Sequence, residues 1–128
     1  SNYSYKCEKF YGERWASVGD AMSFLDPVFS SGVHIGLYSA KLISKNILHS
    51  LMDENILLNS ANNIVDYNNE ILKGVSRFNS LLQMFYGPNF IERITTLEKK
   101  PKTMSSMISA VAGGVWDDNN TLFRMGIL

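Results

Sequence analysis

The chain has 128 residues, enough for one domain with a modest core. Its 12 Lys and Arg cancel 12 Asp and Glu, which removes any electrostatic reason to expect nucleic acid or an anionic membrane surface as a partner. No apolar run approaches the roughly 18 residues that span a bilayer, and the single cysteine, Cys7, excludes an internal disulfide, so the expected setting is soluble and cytoplasmic.

Residues 3–9 alternate enough to form a strand, and Tyr11-Gly12-Glu13 reads as a turn. Arg14–Val18 is then expected to pair back antiparallel as a short buried strand, with Trp15 in the core and Cys7 buried or half-buried. The apolar run Trp15–Val18 ends on Gly19-Asp20, where a missing side chain lets backbone come close to another group. A turn-rich segment centred on Pro27 follows and closes on Ser30-Ser31-Gly32, serines of the kind that precede a helix.

From Gly32 a helix is expected to about Met52. Ile35, Leu37, Tyr38, Ala40, Leu42, Ile43, Ile47, Leu48 and Leu51 make it apolar nearly all round, the pattern of a helix buried on most sides, with Lys41, Ser44 and Lys45 nearest water. The remaining elements are too few to cover that surface, so the chain is expected to come from a larger protein and, alone, to self-associate as a homo-oligomer.

Asp53-Glu54-Asn55 breaks the pattern and Ser60 signals a second helix. Its stripe, Ile64, Tyr67, Ile71, Val75, Phe78, Leu82 and Phe85, is spaced by threes and fours and reads as a packing seam. Gly87-Pro88 ends it. Residues 89–97 form a short helix with Phe90, Ile91, Ile94 and Leu97 inward, and 98–102 a solvated loop. Thr103 caps a last helix through Met104, Met107, Ile108 and Val111, closed by Gly113-Gly114. Asp117–Asn120 carries turn chemistry between two apolar anchors, Trp116 and Phe123. The fold class is mainly α with a short N-terminal β-hairpin.

A strand end bearing Gly19-Asp20, a loop, and a helix N-terminus together present one carboxylate and several free backbone N–H groups to a ligand. Asp26 and His34 are candidate bases, yet Asp-Pro is ordinary turn chemistry and no second histidine lies near His34. No metal-ligand spacing occurs. A Gly-x-Gly-x-x-Gly after a strand is missing, so the pyrophosphate-binding half of a dinucleotide site is not in this chain.

Gly19-Asp20-Ala21, followed by Phe24-Leu25-Asp26-Pro27-Val28-Phe29-Ser30-Ser31-Gly32-Val33-His34, resembles the second FAD-contacting motif of flavin-dependent monooxygenases, and among them that of flavin-dependent halogenases and halogenase-like oxidoreductases. The tail Ala112-Gly113-Gly114-Val115-Trp116-Asp117-Asp118-Asn119-Asn120 with Leu122-Phe123 is also similar to the end of such proteins. The resemblance implies the C-terminal portion of an α/β FAD-binding, aromatic hydroxylase-like flavoprotein. Residues 1–52 would complete the FAD domain and 53–128 would form a helical C-terminal subdomain.

The implied cofactor is FAD. Gly19, Asp20 and Ala21 would contact it, with Asp20 holding its ribitol chain, and Pro27 would lie against the isoalloxazine ring. Backbone groups of Ser30, Ser31, Gly32, Val33 and His34 would face the flavin, with Ser31 and Gly32 also beside a halide. The implied partners are a small-molecule substrate, chloride or bromide, and an upstream FAD domain. No residue of this chain receives a catalytic role, because the Trp-x-Trp-x-Ile-Pro signature and catalytic lysine of halogenases are not in it. The parent would be an enzyme and this chain alone inactive. A hydroxylase, a prenyl-type reductase and a non-catalytic helical interaction module remain the alternatives.

Overall fold

What the first strand pairs with is decided by burial of Met22, Ser23 and Leu25. In the computed structural model, which describes residues 4–12, 14–52 and 61–126 (backbone alone for 61–63), β1 (Tyr5–Lys6) runs antiparallel to β2 (Ser23–Phe24). Tyr5 stands opposite Phe24 with their rings stacked, and Cys7 N–H donates to Met22 O over 2.9 Å. The side-chain hydroxyl of Ser23 donates to Tyr5 O, and half-buried Cys7 reaches Ala21 O at 3.4 Å.

The expected partner of β1, residues 14–18, is not a strand. A tight turn consumes it: Gly12 N–H donates to Trp15 O, Ser17 N–H donates to Phe10 O, and Tyr11 and Ala16 form an isolated bridge. Trp15 is 48% exposed instead of in the core, because its indole folds back over Gly12. A methyl group on Gly12 would lie 2.2 Å from Trp15 Nε1, so a side chain there would displace the ring. Phe10 takes the core place instead.

Gly19–Ala21 is one turn of 3-10 helix, not the end of a strand. A second such turn, Pro27–Phe29, opens on the Asp26 side chain, whose Oδ1 accepts from Val28 N–H at 3.2 Å. Helix α1 (Ser31–Met52) follows at the expected place. It is not buried on most sides: Ser31, Ile35, Ser39 and Ile43, spaced by four, form one buried stripe, while Leu37 is 70% exposed and Val33, Leu48, Leu51 and Met52 are exposed too. The apolar count overstated burial because two positions of the inner stripe are serines. The proposed helix break at Asp53-Glu54-Asn55, the Ser60 cap and the expected division at 52/53 touch residues outside the described ones.

The chain forms two compact units, Ser1–Val75 and Ser76–Leu128, with the boundary inside α2 (Ala61–Tyr86). In the first unit the α2 seam of Ile64, Tyr67, Ile71 and Val75 is buried, and Tyr67 donates its hydroxyl proton to Ser17 O. Tyr38 on α1 donates to Glu70 on α2 at 3.5 Å.

In the second unit Phe78, Leu81, Leu82 and Met84 continue the buried seam, and Trp116 meets Phe78 edge-on. Helix α3 (Phe90–Glu98) leaves Ile91 72% exposed instead of inward. Helix α4 starts at Pro101 and runs to Val111, so Thr103 lies inside it and caps nothing. Proline at the first helical position has its φ already set and no N–H to satisfy, which makes it the better start. Ile108 is exposed, and Met107 and Ala110 carry the burial. Asn120 caps α5 (Thr121–Arg124), its Oδ1 accepting from Leu122 N–H at 3.0 Å while its Nδ2 donates to Ser106 O at 2.8 Å. Arg77 donates to Val115 O (2.7 Å) and Asp118 Oδ1 (2.8 Å) and stacks over Phe123. No helix among the described residues is long and apolar enough to cross a membrane.

Two expectations follow from these buried polar groups. Burial pushes the Tyr67 hydroxyl from 10.0 up to about 12, so its protonated form is favoured by the fold. Its contribution is intact below pH 10.0 and is lost as pH rises through about 12. Between those limits the wild-type chain should lose roughly 2 kcal/mol more stability than Tyr67→Phe, measured by urea unfolding at each pH. Asn120→Ala should cost about 1–2 kcal/mol through the lost cap, and Asn120→Asp should also destabilise because it keeps the acceptor but cannot donate to Ser106 O. Thermal unfolding of both variants checks this.

Candidate functional site

Gly19 adopts φ +55, a left-handed conformation that glycine takes without steric cost. The bend brings the turn against α1: a methyl group added at Gly19 would lie 3.3 Å from Gly36 Cα. Gly19 N–H, turned inward, donates to Ser39 Oγ at 3.0 Å, and the Ser39 hydroxyl in turn donates to Gly36 O at 3.0 Å. Ser39 is fully buried.

This contact carries Asp20 to the start of α1. Asp20 Oδ1 sits 3.3 Å from where a methyl group on Gly32 would be, so the carboxylate lies against the first turn of the helix. Tyr5 fixes the same residue from the other side by donating its hydroxyl proton to Asp20 O. Ser30, at φ 52 and ψ 30, turns the chain into α1 after donating its N–H to Pro27 O at 2.9 Å. Ser31 opens the helix with a buried side chain whose hydroxyl reaches Asp26 O at 3.5 Å. Asp26 itself is occupied by the chain, its N–H donating to Ser4 Oγ and its carboxylate accepting from Val28 N–H.

Between these elements lies an open cavity of about 550 Å³. Its wall includes Gly19, Asp20, Pro27, Ser30, Gly32 and Val33 among the residues singled out from the sequence. Phe24, Leu25 and Gly36 complete it and were missed. Ala21, Ser31 and His34 are not part of the lining: Ala21 is exposed, Ser31 is buried beneath and His34 is half-buried on the first turn of α1. Gly36 was legible in principle, since it follows Gly32 by four and must share its helix face. Ser39 gave no sequence signal, because a serine inside an apolar helix reads as a solvent-facing residue.

The arrangement is one carboxylate over a helix N-terminus whose first N–H groups have no intrahelical acceptor, beside an apolar wall from Phe24, Leu25 and Pro27. Such an arrangement can accept hydrogen bonds at the carboxylate and donate them from the helix start. No group of three or more His, Cys, Asp or Glu that could hold a metal occurs among the described residues.

The two glycines on either side of the cavity should respond oppositely to alanine. Gly19→Ala forces a side chain into the left-handed region and against α1, and should cost about 1–2 kcal/mol or more. A methyl group on Gly36 meets nothing within 4 Å, so Gly36→Ala should raise stability by about 0.5–1 kcal/mol through helix propensity. Chemical denaturation of the two variants checks both signs.

No family model matches the chain. A 1H-pyrrole-2-carbonyl (peptidyl-carrier protein) chlorinase of Pseudomonas fluorescens is 26% identical over 116 residues, covering 91% of this chain and 25% of the chlorinase. A flavin-dependent halogenase of Armillaria mellea is 39% identical over 51 residues, 40% of this chain and 10% of that protein. The corresponding pyrrole brominase of Pseudoalteromonas luteoviolacea is 46% identical over 37 residues, 29% of this chain and 9% of that one. In three dimensions the chain superposes on the flavin-dependent brominase Bmp2 with a TM-score of 0.79 and 23% identity, over 97% of this chain and 31% of the brominase, which shows a shared fold. By sequence and fold together, the chain is similar to flavin-dependent halogenases, and it spans 25% of the chlorinase's length.

Proposed function

We propose that the cavity along Asp20 and the first turn of α1 is the ribityl and ring side of an FAD site in a halogenase-like oxidoreductase. The observation that carries this is the Asp20 carboxylate at the edge of an open cavity, its Oδ1 3.3 Å from where a methyl group on Gly32 would lie. The residues present fit the group: a carboxylate for ribityl hydroxyls, glycines that leave room, apolar side chains for a ring, and backbone donors for its charged edge.

When bound, FAD would supply the redox chemistry with O₂ that oxidises a halide. The chain's own residues have other tasks. Asp20 accepts hydrogen bonds from ribityl hydroxyls, with Gly19 and Ala21 setting its direction. Pro27 offers an apolar face to the ring, and Phe24 and Leu25 keep that side of the cavity apolar. Backbone N–H groups at Ser31 to Val33 favour negative charge on the flavin without a titratable group, since partial positive charge gathers at a helix start. The Gly32 N–H, on the cavity wall, would also hold chloride or bromide, with Ser31 buried beneath it. The substrate is a small molecule, and the phosphate-binding half of the FAD site belongs to an upstream domain.

A second reading, a helical module that packs on a partner or on itself, rests on the exposed apolar residues of α1, Val33, Leu37, Leu48 and Leu51. The two readings differ at Asp20. In the full-length flavoprotein Asp20→Ala should weaken FAD binding about ten- to hundredfold, and Asp20→Asn less, because the amide keeps an acceptor. FAD titration followed by flavin fluorescence gives the dissociation constants, and thermal melts of the apo-proteins run alongside. Lowered melting temperatures with an unchanged dissociation constant would defeat the flavin reading.

A further inference from the structure

We infer that Ser39, which does not line the cavity, is the positioning residue for Asp20. The inference rests on the assignment of Asp20 to the flavin site. Three observations carry it. Gly19 N–H is buried and directed at α1, where the acceptor is Ser39 Oγ at 3.0 Å. The Ser39 hydroxyl places its own proton on Gly36 O, one turn back along the same helix, which leaves its oxygen lone pairs facing Gly19. The residue covalently next to Gly19 is Asp20, whose Oδ1 lies against Gly32, further back on that helix face.

The register between the 19–21 turn and α1 therefore decides where the carboxylate stands. Along α1 the turn is held by the hydrogen bond to Ser39, and from the β1 side by Tyr5 on Asp20 O. The Tyr5 contact is at an exposed position, whereas the Ser39 bond is in a dry interior where its alternative is an unsatisfied donor. Alanine at 39 removes the acceptor without blocking the cavity, so the carboxylate keeps its chemistry and loses its address.

The test is a double-mutant cycle in the full-length flavoprotein, reading the FAD dissociation constant and the apo-protein melting temperature for Ser39→Ala, Asp20→Ala and the pair. Ser39→Ala is expected to weaken FAD binding about three- to tenfold when Asp20 is present and less than about twofold when Asp20 is already alanine. The melting temperature should fall by the same amount in both backgrounds. Equal weakening of FAD binding in both backgrounds, or a melting-temperature effect with no change in binding, would overturn the role of Ser39 alone. If Asp20→Ala leaves FAD binding unchanged, the flavin assignment of Asp20 fails first and the inference goes with it. Should Ser39→Ala not fold, Ser39→Cys, close in volume but a poor acceptor, is read by the same criteria.

Discussion

A donor N–H that faces the interior must find an acceptor, and in the first unit that requirement sets the local geometry. Gly19 must be in the left-handed region for its N–H to point at α1, and a side chain there would strike the helix at Gly36. The helix in turn presents a small polar residue on its inner stripe, Ser39, between Ile35 and Ile43. Once those two conditions hold, Asp20 has little choice of position. Met22, Leu25 and Phe10 are buried in the same unit.

The second unit solves a different problem by similar means. Its last elements are short, four residues in α5 and three in the turn at Gly114–Trp116, so propensity alone cannot hold them. Arg77 and Asn120 supply what length does not. Each joins stretches distant in sequence, and each uses several donors or acceptors of one side chain at once. Arginine suits this because its fork bonds a carbonyl and a carboxylate while its flat face rests on an aromatic ring.

How much of this could be read from the sequence divides along physical lines. Long periodic helices were legible: the α2 stripe from Ile64 to Leu82 is buried where spacing put it, and α1 begins within a residue of its expected start. Residues 19–34 resemble a known motif, and of the residues singled out there Gly19, Asp20, Pro27, Ser30, Gly32 and Val33 line one cavity. Strand pairing was not, because two-residue strands carry no periodicity and their partner is chosen by the burial of Met22 and Ser23, a tertiary matter. Trp15 was misplaced for the same reason, since its size argued for the core while Gly12 offered it a surface seat. Ser39 was invisible because its importance lies entirely in a bond to a residue 20 positions away.

The placement of the indoles has an optical consequence. The chain has 2 tryptophans, and each unit holds one of them. Trp15, 48% exposed over a glycine, sits in a polar surrounding, so its emission belongs at the red end of the tryptophan range. Trp116 lies half-buried edge-on to Phe78, with ring centroids 6.1 Å apart, in surroundings that shift emission to the blue. Intrinsic fluorescence therefore carries separable signals from the unit that holds Asp20 and from the helical tail.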